Sequence, residues 1–208
     1  DDGESRAAYD REGLQQMRKA GNTTPEAVEL LQKGETPISA WNLLAAQALV
    51  DDPAELFGNL RRYREKYWQE KEIPQTVTGE VPALAEVFEL WEQLDQQNFA
   101  EDYRTMLQDA AEEAETMSLE RADEHLDVKQ LQLIHKQLRL AGSLQEKQEY
   151  FLPMYLGEQL AGVHLTLQQG AGAAGAVEIR INAGDMELEA YLQVKGDTID
   201  GYLVGNTP

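Results

Sequence analysis

The chain has 208 residues, of which 18 are Lys or Arg and 38 are Asp or Glu, so its formal net charge is −20. A surface with that acidic excess repels phosphate backbones and anionic lipid headgroups, which disfavours nucleic-acid binding and membrane insertion. There is no cysteine, which excludes disulfides, thiolate metal sites and cysteine nucleophiles.

Most of the acidic excess lies before Tyr150, and it has two interpretations. It indicates either a basic protein partner or simply well-solvated helix faces. No segment approaches the ~20 apolar residues that span a bilayer, and no basic-then-apolar secretion signal opens the chain. The first residue is Asp1 rather than Met, which indicates a fragment or a processed chain.

Residues 1–145 have the apolar period of successive helices. Ser5 is a candidate N-cap for a first helix that ends at Gly21. Thr24-Pro25 and Thr36-Pro37 then open two helices that form a short hairpin, because each pair supplies a capping hydroxyl and a proline at the first turn. Serine at position 39 is the candidate cap of the second of these helices.

Asp52-Pro53 opens a fourth helix with an apolar stripe on one face. We interpret the stripe as helix–helix core rather than as a ligand groove. It consists of Leu56, Phe57, Leu60, Tyr63, Tyr67 and Trp68. Two prolines and a glycine then predict a loop over residues 72–82, which is a candidate subdivision of the helical region.

Three more helices complete the helical part. The first begins at Ala83, the second covers roughly 100–117, and the third runs from about Leu119 to Ala141. Gly142 is the expected stop of the last helix, because glycine commonly terminates helices. These patterns predict an N-terminal helical domain over residues 1–145.

From residue 149 the apolar period changes to two, which is typical of strands that bury one face. The predicted strands are 149–156, 161–168, 176–182, 186–195 and 198–204. Short turns that contain glycine join them into an antiparallel meander, the β module of residues 149–208. Pro153 confines the first strand to a sheet edge or a bulge.

One face of this sheet is apolar and needs a cover, either from the helices or from a C-terminal segment beyond Pro208, where we expect the native chain to continue. The other face is expected to point to solvent. It carries His164, Thr166, Gln168, Glu178, Arg180, Glu187, Glu189 and Gln193. The predicted fold class is therefore α+β, with an all-helical N-terminal domain followed by a small antiparallel β module.

Residues 170–175 spell G-x-G-x-x-G, a dinucleotide-binding pattern. That function requires a helix after the last glycine, but Val177 begins a strand pattern instead. A kinase glycine-rich loop would need a lysine on the next strand and catalytic motifs that the chain lacks. We predict a hairpin loop of small residues.

The sequence predicts no catalytic residue, no cofactor and no metal site. The histidines at 125 and 135 lie on different faces of one predicted helix, and His164 is on a strand. Capping of helix starts explains Ser5, Ser39, Ser118 and Ser143. We therefore expect a protein that is not an enzyme.

Pro153, Leu156 and Gly157 form a P-x-x-L-G element, and two alternating apolar strands follow it. This arrangement resembles the C-terminal domain of flagellar hook-length control proteins. The segment 36–46 is similar to the helical region that precedes such domains in uncharacterised proteins of Gram-positive gut anaerobes. The resemblance covers roughly residues 149–182. The family typically continues into a leucine-rich helix, where this chain has two further strand patterns.

The resemblance implies a non-enzymatic assembly regulator that binds a protein of the flagellar export gate. It implies a cytoplasmic protein, or one exported through a flagellar-type secretion system. Leu156 is then expected in the core and Gly157 at an unusual backbone angle. The alternative function is an acidic helical scaffold whose β module binds a peptide or protein along a sheet edge, unrelated to flagella.

Overall fold

The computed structural model describes residues 20–70, 98–120, 125–172 and 174–206, without the side chains of residues 20, 68–70 and 125–127. Within these ranges, five α-helices precede a five-stranded antiparallel sheet. The predicted α+β class is confirmed, and so is the order of helices first and strands second.

The predicted helix starts are confirmed at Ser39 and Asp52, but the predicted capping hydroxyls of Thr24 and Thr36 are wrong. Thr24 precedes the first helix without a capping hydrogen bond from its side chain, and the hydroxyl of Thr36 donates to the Gly34 carbonyl, outside the second helix.

Ser39 caps the second helix, since its hydroxyl accepts a hydrogen bond from the backbone N–H of Asn42 at 3.2 Å. The Asp52 carboxylate accepts one from the N–H of Ala54 at 2.9 Å at the start of the third. The bounds are α1 Pro25–Lys33, α2 Ala40–Asp51, α3 Pro53–Glu70, α4 Phe99–Glu120 and α5 His125–Leu144.

The predicted ends of the last helix are wrong. Leu119 belongs to α4, and Gly142 lies inside α5 rather than ending it. A glycine costs about 1 kcal/mol inside a helix, but here its neighbours Ala141 and Leu144 are fully buried and hold the last turn in place. A 3₁₀ turn follows α5. This turn ends at Gln148, which has a left-handed φ of 62° and immediately precedes β1.

The strands follow one another as a meander, which confirms the predicted topology. Three of the four connections are two-residue turns that begin with a glycine at a φ of about +60°, namely Gly157, Gly184 and Gly196. This is the geometry of the type II′ hairpin turn. The bounds are β1 Glu149–Leu156, β2 Gln159–Gln169, β3 Ala174–Ala183, β4 Met186–Lys195 and β5 Thr198–Asn206.

One continuous hydrophobic core joins the helices to the first two strands. Residues on both sides of the predicted domain boundary belong to it, among them Leu144 of α5 and Tyr150 of β1. Val163 on β2 is 1% exposed, whereas Leu192 on β4 and Leu203 on β5 are 38% and 66% exposed. The sheet therefore leaves the core progressively from β1 to β5.

The expectation that the polar sheet face points to solvent is wrong over β2 and β3. Gly162 on that face lies against Pro53 and Ala54 at the start of α3. The Asn182 side chain donates a hydrogen bond to the Asp51 carbonyl at 3.1 Å, at the end of α2. The helix ends can approach this face closely because Gly162 has no side chain and because Asn182 is hydrogen-bonded to Asp51. The alternation of apolar residues along the strands does not predict this close approach.

Some predictions fall outside the described residues and stay predictions. They concern the helix capped by Ser5, the loop at 72–82 and the helix that begins at Ala83. The position of the Trp68 side chain is also outside the description. The rest of the predicted stripe on α3 is core as expected, since Phe57 and Tyr63 are buried.

Candidate functional site

A buried carboxylate marks the contact between α1 and the sheet. Glu149, the first residue of β1, is only 2% exposed. Its Oε1 accepts a hydrogen bond from Lys33 Nζ at 2.8 Å, and its Oε2 lies 3.0 Å from His164 Nε2. The His164 ring stacks on Phe151 with 4.4 Å between ring centroids. The cluster ties the C-terminal end of α1 to β1 and β2.

The protonation of this cluster follows from its contacts. Burial works against ionisation of Glu149, but the hydrogen bonds to His164 and Lys33 outweigh it and hold the pKa of Glu149 below its usual value. For the amine, burial opposes the charge, yet the bonds to Glu149 and Glu29 raise the pKa of Lys33. At neutral pH the pair is ionised, so it stabilises the junction as a charged contact.

A second ion-pair network surrounds Arg180 on β3. The guanidinium contacts Glu26 of α1 and lies 3.2 Å from both Glu178 and Glu189 of the sheet. Burial opposes the charge, but the three carboxylates, first of all Glu26, raise the pKa of Arg180. Arg180 therefore joins the helices to the sheet and is neutralised by its neighbours.

A cavity of about 270 Å³ lies next to Arg180, between the helix ends and the sheet. Asp51 and Asn182, which line it, are bonded to each other across this gap, and Glu26 is paired with Arg180. These polar groups already serve the contact between helices and sheet. The cavity is therefore a feature of the helix–sheet junction.

The outer edge of β1 is closed to further strands. The Tyr103 hydroxyl accepts a hydrogen bond from the N–H of Phe151 at 2.8 Å and donates one to its carbonyl at 3.0 Å. Two residues on, Pro153 has no N–H to offer a neighbouring strand. Its predicted place on an edge strand is confirmed. A side chain and a proline thus protect this edge.

The opposite edge of the sheet has no such protection among the described residues. No described strand pairs with the outer side of β5, and all nine of its residues are exposed. Ile199 and Leu203 are 69% and 66% exposed on one face, and Tyr202 and Val204 are 60% and 58% exposed on the other. Open edges with large apolar side chains are typical of strands that pair with another chain.

The three residues of the P-x-x-L-G element have separate structural roles. Pro153 is buried in β1. Gly157 has a φ of 64°, which confirms the expected backbone angle, and it is the first residue of the β1–β2 turn. Leu156 is 37% exposed beside this turn, so its expected place in the core is wrong. It pairs with Gln159 at the end of the β1–β2 hairpin.

The remaining polar candidates have ordinary structural partners. Ser118 and Ser143 lie inside helices and donate to carbonyls three residues earlier, so the expectation that they cap helix starts is wrong. His135 Nδ1 lies 2.9 Å from the Ala111 carbonyl. The described residues contain no group of His, Asp and Glu arranged to hold a metal ion.

The G-x-G-x-x-G segment connects β2 to β3. The Gly170 N–H donates to the Ala174 carbonyl at 2.9 Å, and an antiparallel strand follows. No helix N-terminus is present there to hold a pyrophosphate, so the hairpin prediction is confirmed.

None of the described helices is both long enough and apolar enough to cross a bilayer. Comparison of the chain with protein-family models, with curated proteins and with solved structures finds no match.

Sequence reasoning missed two features of this arrangement. The pairing of Glu149 with Lys33 joins residues 116 positions apart, and neither residue carries a local signal. The exposure of β5 did have a signal, because its apolar residues fall on both faces. A strand with one buried face would alternate instead.

Proposed function

We propose that this chain is a non-enzymatic assembly or regulatory protein that binds a protein partner by strand addition at β5. The observation that carries the proposal is the contrast between the two sheet edges. Tyr103 and Pro153 close the edge of β1, whereas β5 presents an open edge with Ile199 and Leu203 exposed beside it.

Backbone hydrogen bonds would supply much of the binding free energy. In a two-residue hairpin the residues that flank the turn form a hydrogen-bonded pair, here Lys195 with Thr198. Even-numbered residues of β5 therefore bond to β4, and the odd-numbered ones point their N–H and C=O groups outward. Each new backbone bond contributes about 0.5–1.5 kcal/mol, and the apolar side chains add burial.

The helical domain of residues 1–145 serves in this proposal as a base that holds the β module of residues 149–208 in place. The support is the set of contacts between helices and β1–β3, such as Lys33 with Glu149 and Glu26 with Arg180. Among the described residues no helix covers β5, whose nine residues are all exposed, so a partner strand can reach β5 without displacing a described helix.

A narrower proposal adds a second partner, a component of a flagellar export gate, which would contact the β1–β2 turn rather than β5. The chain would then be cytoplasmic or exported through that system. The support for this narrower proposal is the resemblance of the P-x-x-L-G element, Pro153, Leu156 and Gly157. The exposure of Leu156 makes it testable, because a substitution there leaves the core untouched. Binding of the full chain to the soluble domain of that gate protein, lost in Leu156→Asp, is the expected result. Equal binding by both chains, or by neither, would overturn the narrower proposal.

A peptide-display selection on the full chain tests strand addition itself. We expect the selected peptides to be extended and apolar, and to lose binding in Leu203→Pro. That proline removes an N–H that points away from β4, so the internal hydrogen bonds of the sheet remain.

The matched control is Leu119→Lys, which changes another leucine of similar exposure, 72%, on α4. It should bind the selected peptides as the original chain does. Circular dichroism and melting temperature establish that both variants are folded. Peptides that bind Leu203→Pro as well as the original chain would place the binding site elsewhere and overturn strand addition at β5.

A further inference from the structure

We propose that the strand which adds to β5 is the β5 strand of a second copy of this chain, so that two chains form a two-fold dimer with one continuous ten-stranded sheet. This inference rests on the proposed strand addition and names its partner. It follows from three properties of β5 Thr198–Asn206, namely its hydrogen-bond parity, its order of large residues and glycines, and the position of its charges.

The outward backbone groups fit a second copy in antiparallel orientation. The odd-numbered residues Ile199, Gly201, Leu203 and Gly205 point their N–H and C=O groups away from β4, as derived from the hairpin register. A two-fold axis at Tyr202, the central residue of β5, places each of these residues opposite another odd-numbered residue. Within the overlap, each outward backbone N–H then faces a C=O of the second copy, and each outward C=O faces an N–H.

The side chains favour this register over its neighbours. With the axis at Tyr202, Leu203 lies opposite Gly201 of the second copy, and Ile199 lies opposite Gly205. An axis at Gly201 would instead place Leu203 against Ile199 and leave two glycines facing each other. An axis at Leu203 would place two leucines together and Gly201 against Gly205. Only the central register, which also overlaps the full strand, alternates large residues and glycines throughout.

Side chains of β4 extend these rows. Leu192 already lies over Gly201, with its Cδ2 2.8 Å from the position of a Cβ there, and Leu188 lies 3.6 Å from the corresponding position at Gly205. Leu203 of the second copy would therefore pack against Leu192, which is 38% exposed in one chain. The dimer would bury apolar surface that β4 and β5 leave open.

The other face adds an aromatic ladder at the axis. Tyr202 stacks on Tyr191, with ring centroids 5.7 Å apart and ring planes 21° apart. In the central register Tyr202 faces its own copy across the axis, so the two stacks join into a row of four rings. Aromatic cross-strand pairs of this kind stabilise sheets.

Charges are compatible with the central register. Asp200 lies opposite Val204 of the second copy, whereas an axis at Asp200 would set two carboxylates against each other. The net charge of −20 on each chain nevertheless opposes association. Added salt screens that repulsion, so we expect the dimer to become more stable as the ionic strength rises. A basic partner would show the opposite dependence.

Sedimentation equilibrium of the full chain tests the association. A dimer has twice the 23.4 kDa mass of the chain, and it should gain population with concentration across about 5–500 µM, the range of modest interfaces. Leu203→Pro and Leu203→Lys should both remain monomeric, since one removes a backbone donor and the other places a charge in an apolar row. Leu119→Lys should dimerise like the original chain. Melting temperatures verify that the variants fold.

Disulfide formation tests the register. Because the chain has no native cysteine, any disulfide must form between the introduced cysteines. In Tyr202→Cys the two thiols face each other in a non-hydrogen-bonded pair, where Cβ atoms lie about 4.5–5.5 Å apart, so oxidation should yield a covalent dimer. In Val204→Cys, on the same face, the thiols are offset by four residues, about 13 Å, and should not crosslink. Crosslinking of Val204→Cys instead would overturn the register.

The failure of this inference differs from the failure of the proposed function. A chain that stays monomeric at the highest concentration, while peptides still bind in a manner abolished by Leu203→Pro, would overturn the dimer and leave strand addition standing. A monomer that also binds no such peptide would overturn both. A dimer that persists in Leu203→Pro and Leu203→Lys would place the dimer contact on another surface and likewise refute the proposal.

Discussion

The hydroxyl of Tyr103 on α4 takes the place of a neighbouring strand at Phe151 on β1. It accepts a hydrogen bond from the Phe151 N–H at 2.8 Å and donates one to the Phe151 carbonyl at 3.0 Å. Tyr103 is fully buried, and this burial raises the pKa of its hydroxyl, so the donor proton is retained at any physiological pH. The pair anchors β1 to the helices and closes one edge of the sheet.

Tyr103→Phe should lower the free energy of unfolding by about 1–3 kcal/mol, because the ring stays but the N–H and C=O of Phe151 lose their partner in a buried place. Urea unfolding of both chains measures the difference. Tyr67→Phe is the control, since it removes a hydroxyl that bonds Glu120 at 2.8 Å in an exposed position. That change should stay within about 0.5 kcal/mol. Equal effects of the two substitutions would show that the hydrogen bonds of Tyr103 with Phe151 stabilise the fold no more than an exposed hydrogen bond does.

The sequence predicts the strands well because their signals are local. Strand β1 has the predicted bounds, 149–156, and the glycines at 184 and 196 mark the tight turns that join the strands after it. Alternation states which residues share a face, but it does not state which face the helices take. That choice depends on contacts such as Glu26 with Arg180, which are 154 positions apart and leave no local pattern.

The open edge is a different case, because its signal lies in the sequence of β5 itself. Ile199 and Leu203 alternate with Tyr202 and Val204, so β5 carries apolar residues on both faces. Such a strand buries neither face fully against a single layer of helices. Apolar residues on both faces therefore predict a strand that pairs with another chain. Apolar residues on one face only, as in β2, predict a strand that packs against the core of its own chain.

Two glycines at the contact of α3 with β2 should respond to the same substitution in opposite ways. A Cβ at Gly162 would lie 2.4 Å from the backbone nitrogen of Ala54, so Gly162→Ala must push the start of α3 away from the sheet. We expect a loss of about 1–3 kcal/mol in the free energy of unfolding.

Gly58→Ala provides the matched comparison on α3. Its Cβ would meet only the Leu160 Cδ2 at 3.6 Å, an ordinary contact, and alanine is the better helix former. The free energy of unfolding of this variant should therefore rise by about 0.5–1 kcal/mol. Urea unfolding of both variants measures the pair. A neutral Gly162→Ala would show that α3 and β2 are less closely packed than the distances indicate.

The buried carboxylate of Glu149 should make stability depend on acid pH. Its pKa is depressed in the folded protein, so its contribution is complete above the ordinary value of about 4.5 and is lost as the pH falls through the folded value. Glu149→Gln keeps the shape but not the charge. At pH 7 we expect it to lower the free energy of unfolding by about 1–2 kcal/mol, since Lys33 and His164 lose a charged partner. Below about pH 4.5 the difference between the two chains should shrink.

Glu29→Gln separates burial from charge in this experiment. Glu29 contacts the same amine, Lys33 Nζ, at 3.1 Å, but its side chain is 61% exposed. Removing the charge of Glu29 should lower the free energy of unfolding by less than about 0.5 kcal/mol, because solvent screens exposed ion pairs. Thermal unfolding of the original chain and both variants between about pH 3 and pH 7 spans the window in which the carboxyl titrates. If the Glu149→Gln curve runs parallel to that of the original chain throughout, Glu149 does not ionise as the junction requires.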